Sequence, residues 1–126
     1  MQELIREILT QTTQTLAVCS IGVLILEVVS GVFNAIKKKE LNSTAFRNGL
    51  YGKIGYFIYI ALAFLIAIML EMPLILQATL IFIIGSEGVS ILENIAEAGL
   101  PVPSFLKEVL EKIKEKGNKG DKGDDK

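Results

Sequence analysis

Three long apolar blocks, residues 16–36, 54–70 and 74–92, constrain this chain more than any other feature. The first holds one charge, Glu27, the second none, and the third one, Glu87. At 1.5 Å per residue each block spans roughly 25–32 Å as a helix, enough for a hydrocarbon core of about 30 Å. A soluble helix of such length carries a charged stripe on its wet face. Here the cations are instead confined between the blocks and beyond them. Arg6 is the only Lys or Arg before Lys37, and none occurs between Lys53 and Lys107. No block alternates apolar and polar residues as a membrane barrel strand requires, and helices satisfy their own backbone groups in lipid. The sequence therefore predicts an all-α integral membrane protein with three transmembrane helices.

The remaining segments complete that plan. Residues 37–53 read as a basic loop, with Lys37, Lys38, Lys39, Arg47 and Lys53 against Glu40. Within it Asn42-Ser43 is suited to cap a helix running into the second span. Glu71-Met72-Pro73 is a minimal turn, with Pro73 fitted to the first turn of the third helix. Gly99-Leu100-Pro101-Val102-Pro103 ends that helix. Ser104 then reads as the N-cap of an amphipathic helix over residues 104–116, with Phe105, Leu106, Val109, Leu110 and Ile113 on one face. Residues 117–126 contain only Gly, Asn, Lys and Asp, and predict a disordered charged tail after a single membrane domain of residues 1–116. The apolar block after residue 15 is longer than a signal-peptide core and lacks a small-x-small cleavage site, so the chain is expected to insert intact. Cation-rich loops stay in the cytoplasm, which places residues 37–53 and the C-terminus inside and the N-terminus outside.

Several functions are excluded. A net charge of -1 leaves no basic excess for nucleic acid. There is no His, and Cys19 is the only Cys, so neither a nucleophile–base pair nor metal-ligand spacing exists. No phosphate-binding Gly-rich loop occurs either. No cofactor, metal or enzymatic activity is expected.

The intramembrane polar residues carry the remaining information. A charge at the centre of a span costs about 2.5–3.5 kcal/mol on insertion scales, so Glu27 should not meet lipid alone. Ser20, Glu27, Ser30, Gly31 and Asn34 share one arc of the first helix, and Gly31 with Ala35 forms a small-xxx-small pair. On the third helix Ser86, Glu87, Ser90, Glu93, Asn94 and Glu97 share another arc. Gly85 and Gly88 flank Glu87, either for close helix contact or merely loosening the helix. Both stripes suit a helix interface or a lumen, and Glu27 alternatively sits hydrogen-bonded inside its own bundle.

The run Ser86-Glu87-Gly88-Val89-Ser90-Ile91-Leu92-Glu93-Asn94, followed by Gly99-Leu100-Pro101-Val102-Pro103, resembles the toxin-secretion and phage-lysis holin family of small bacteriophage membrane proteins. So do Glu27-Val28-Val29-Ser30-Gly31, Lys37-Lys38-Lys39-Glu40-Leu41-Asn42-Ser43 and Gly49-Leu50-Tyr51-Gly52-Lys53. The likeness extends from about residue 16 to residue 113. The family usually has Asp where this chain has Glu27, and Asn where it has Ser86. The first change keeps the carboxyl group; the second removes an amide. The resemblance implies a homo-oligomer in the lipid of the host inner membrane that opens large holes for an endolysin partner, causing host lysis. Relatives near toxin genes are associated with toxin release. A small helical subunit of a larger membrane complex and a proton-coupled transporter component are the alternative classes.

Overall fold

A computed structural model describes residues 1–39 and 42–120. It contains five helices: α1 (Gln2–Ile8), α2 (Gln11–Lys38), α3 (Ser43–Leu70), α4 (Pro73–Glu97) and α5 (Ser104–Asn118). There is no strand among the described residues. The helices α2, α3 and α4 are each long and apolar enough to cross a membrane, as the three blocks require.

The helix α4 is the hub of the bundle. Of the three long helices its apolar part is the most buried, and that of α3 the least. The helix α2 runs parallel to it, with Thr13 beside Gln77 at one end and Asn34 beside Glu97 at the other. The helix α3 returns antiparallel on another side, where Ala63 and Ala67 pack on Leu76 and Leu80. Much of the remaining surface of α2 and α3 is aliphatic or aromatic and open, including Val18, Ile25, Val29, Phe57, Ile58, Leu65 and Met69. Such a surface is at home in lipid tails.

The turns follow from backbone chemistry. After α3, Glu71 takes a left-handed conformation with φ 53°. Its N–H donates to the Ile68 carbonyl at 3.3 Å, and the Met72 N–H donates to Ala67 at 3.0 Å. These paired bonds close the helix end in a Schellman arrangement. Gly99, with φ 92°, repeats it after α4: its N–H bonds to Ala96 and that of Leu100 to Ile95. Pro73 occupies the start of α4, where its missing N–H costs nothing. A Thr10 cap, accepting from the Thr13 N–H at 3.3 Å, starts α2 ahead of the apolar block.

Four expectations are corrected. Residues 37–53 are not one loop, because α2 continues to Lys38 and α3 begins at Ser43, so Arg47 and Lys53 lie on α3. The second membrane helix is accordingly longer than residues 54–70. Ser104 is the first residue of α5 and Pro103 its cap, with no side-chain capping bond. The tail does not start at residue 117, since α5 continues to Asn118 and Gly117 is buried. Residues 121–126 of the expected tail lie outside the described residues. The helix α1, which the sequence pattern did not suggest, wedges a fully buried Ile8 among Ala63, Ala67, Leu76 and Leu80.

Candidate functional site

Lys53 sits between the two carboxylates inside the bundle. Its Nζ lies 2.6 Å from Glu27 Oε2 and 2.7 Å from Glu87 Oε2. Glu87 is 4% exposed, Lys53 14% and Glu27 21%. Three helices thus contribute one charged group each, which neither a two-helix pair nor a loop cation can do. The Tyr56 ring lies one turn further along α3, its centroid 5.9 Å from Lys53 Nζ, within range of a cation–π attraction. The Tyr56 hydroxyl stands 3.4 Å from Ser86 Oγ. Counted with all three groups ionised, the cluster carries -1 from two carboxylates and one ammonium. In a low-dielectric setting such a pairing is retained only where partners are close, and here both carboxylates lie within 2.7 Å of the ammonium.

On the side toward the Lys38 end, α2 and α4 are joined by a polar ladder. Asn94 Nδ2 donates to Ser30 Oγ at 3.1 Å, and Asn34 Nδ2 donates to Glu97 Oε2 at 2.9 Å. Lys38 Nζ meets the same Glu97 oxygen at 3.0 Å, at the exposed edge. Toward the other end Gln77 Nε2 donates to Thr13 Oγ1 at 3.1 Å. Ser20 Oγ donates to its own Leu16 carbonyl at 2.8 Å and approaches Leu80 O at 3.4 Å. Ser90 likewise back-bonds to the Ser86 carbonyl at 3.2 Å, which satisfies its hydroxyl within α4. Ser30, Asn34, Asn94 and Glu97 of the two stripes therefore face one another across the α2–α4 seam.

The structure brings together Glu27, Ser30, Asn34, Ser86, Glu87 and Asn94 of the expected residues. Glu93 is exposed and lies off this ladder. Gly31 faces Asn94, but a methyl group there would meet only Asn94 Nδ2, at an ordinary 3.6 Å, so it is not where the helices approach most closely. It lines instead an apolar cavity of about 210 Å³ with Glu27, Val28, Ala35, Phe46, Gly49 and Leu50. The close approach is at Gly85 and Gly88, on the face toward α5. A methyl group at Gly85 would fall 2.6 Å from Lys114 Cα, and one at Gly88 2.7 Å from a Leu110 methyl carbon. Cys19 is exposed. Lys53 is the member of this cluster that the sequence pattern placed with the basic loop. The available signal was two intramembrane acids with a single cation one residue before an apolar block.

Three long apolar helices, locked together by polar contacts, define a multi-pass helical membrane protein. Its sequence matches the profile of the bacteriophage holin family over residues 4–115, and the chain belongs to that family. It is 31% identical over 102 residues to a probable holin of Bacillus phage phi105, covering 80% of this chain and 76% of that protein. An uncharacterised Clostridium perfringens protein is 35% identical over 95 residues, covering 74% and 70%. The uncharacterised protein YqxH of Bacillus subtilis is 36% identical over 90 residues, covering 71% and 64%. No solved structure matches the chain. The family is one of non-enzymatic membrane proteins associated with host lysis, and the three apolar helices fit it.

Proposed function

We propose that the protein accumulates in the host inner membrane and that many copies then assemble into large, non-selective holes, through which an endolysin reaches the cell wall. The observation that carries this reading, beside the family, is how one subunit distributes its polarity. The intramembrane charges Glu27, Lys53 and Glu87 pair with one another within the subunit, while α2 and α3 present broad apolar faces outward. Those faces of α2 and α3 are soluble in lipid. The subunit's three membrane helices cannot enclose a protein-sized opening, so passage of a folded enzyme requires a homo-oligomer. Endolysin is a functional partner that needs no direct contact.

Glu27, Ser30, Gly31, Asn34, Ser86, Glu87, Ser90, Glu93 and Asn94 are proposed to act in assembly, the paired residues by fixing the frame of the subunit that assembles and Glu93 from its exposed surface. The cations at residues 37–39 favour a cytoplasmic α2–α3 connection. That choice puts the N-terminus and the Glu71 turn outside, and brings the α4–α5 connection to the inner surface.

The test is inducible expression with an endolysin that lacks its own export signal. Growth should continue until a threshold amount has accumulated and then end in abrupt wall degradation, because assembly depends steeply on concentration. Continued growth with both proteins present, or endolysin retained after the membrane has become ion-permeable, overturns the reading in favour of a small channel or transporter component.

A further inference from the structure

The helix α5 lies back along α4, antiparallel to it. Leu110 packs at Gly88, Lys114 at Gly85, and Gly117 against Phe82 and Ala78. The fit is built from missing side chains. A methyl group at Gly117 would fall 2.6 Å from Phe82 Cα and 2.8 Å from the Ala78 carbonyl oxygen, and the limits at Gly85 and Gly88 are as tight. Small residues that let backbones touch are how helices associate inside membranes.

This contact fixes the depth of α5. With Gly117 level with Phe82, the neighbouring Glu115 and Lys116 lie level with the middle of the 74–92 block. Glu108, Glu111 and Lys112 lie between that level and the Glu97 end. All five side chains are exposed, and by helical periodicity they point away from the Leu110–Ile113–Gly117 face that meets α4. Charges at that depth do not face lipid; they face the bundle interior or water. Since they point out of the bundle, the seated helix suits an aqueous environment running through the membrane.

We propose that α5 is the water-facing wall of the hole, seated on α4 in the assembled state. This rests on the reading that copies of the chain enclose an aqueous passage. It also separates two tasks. Ser30, Asn34, Asn94 and Glu97 bond to one another and Glu27 and Glu87 pair with Lys53, so most of the polar stripes hold the frame; α5 supplies the wetted surface. The helix has a second place to be. Phe105 and Val109 remain largely exposed when it is seated, because the seat uses mainly the Leu110, Ile113 and Gly117 side of its apolar arc. Before assembly the whole arc, with Leu106, is free to lie in the inner membrane surface. Seating α5 therefore accompanies opening.

The experiment uses the full chain with Cys19→Ser, Thr79→Cys and Lys119→Cys. Thr79 and Lys119 line the same groove beside the seat, so a short bifunctional thiol reagent joins them only when α5 is seated. Cross-linking should be low in membranes collected before the threshold and high after it. Release of a folded cytoplasmic enzyme is measured in parallel. Gly85→Leu with Gly117→Leu should abolish both cross-linking and release while membrane accumulation persists. Glu108→Leu with Lys112→Leu and Glu115→Leu leaves the seat untouched, so cross-linking should remain and release should be lost. Normal release from this second variant, or release without seating in the first, overturns the inference. Failure of the unsubstituted protein to release enzyme strikes the hole-forming reading instead.

Discussion

Two carboxylates share one ammonium in the bundle, and this predicts a specific failure of additivity. Glu27→Gln or Glu87→Gln alone leaves Lys53 one ionised partner at 2.6 or 2.7 Å and brings the cluster from -1 to neutrality. Each single variant should therefore stay close to the unsubstituted protein in stability. The double variant leaves Lys53, only 14% exposed, without any ionised partner. Removing the partner of a buried charge costs about 3–5 kcal/mol, and the lower half of that range applies because Glu27 is already 21% exposed beside a cavity. Lys53→Met is the complementary perturbation: it abandons two carboxylates to each other and should cost at least as much. Adding Glu27→Gln and Glu87→Gln to Lys53→Met should restore most of the loss. The assay is reversible unfolding of purified protein in mixed micelles, followed by helical circular dichroism. Additive losses in the double variant, or a Lys53→Met protein as stable as the original, would refute the three-way pairing.

Other outcomes follow from the same geometry. Ser30→Ala and Asn94→Ala should each cost about 0.6 kcal/mol, the typical worth of an interhelical hydrogen bond in a membrane, and the pair should cost little more than either alone. This is checked in the same unfolding assay. Lys38→Met should leave stability unchanged at ordinary salt, because its bridge to Glu97 is exposed and screened. An unfolding curve displaced from that of the original protein would place this bridge in the frame after all. Topology is read with single cysteines near Gln2 and in the Glu71 turn in a Cys19→Ser background. An impermeant thiol reagent should label both in intact cells before lysis, and labelling of neither would reverse the orientation.

The spans were legible because hydrocarbon length and the absence of charge leave few choices, and their ends because Pro73 and Gly99 have backbone reasons to be there. Asn42-Ser43 likewise marked the true start of α3. The polar stripes were visible as arcs, but an arc does not say which neighbour it faces; the ladder from Ser30–Asn94 to Asn34–Glu97 emerges only from the parallel packing of α2 on α4. Lys53 was hidden because its place on α3 does not say that Glu27 of α2 and Glu87 of α4 both come within 2.7 Å of it; that needs the packing of three helices. Gly117 was read as tail by composition. Its value lies in the side chain it lacks, and that shows only when the backbone of Phe82 is found against it.

The central claim is that copies of this subunit open a passage wide enough for folded protein. It is tested most directly by inducing the chain without any endolysin and measuring the membrane potential and the appearance outside the inner membrane of a folded cytoplasmic enzyme. The account predicts a delay, then loss of potential and release of the enzyme in the same step. Collapse of the potential with the enzyme fully retained would contradict it.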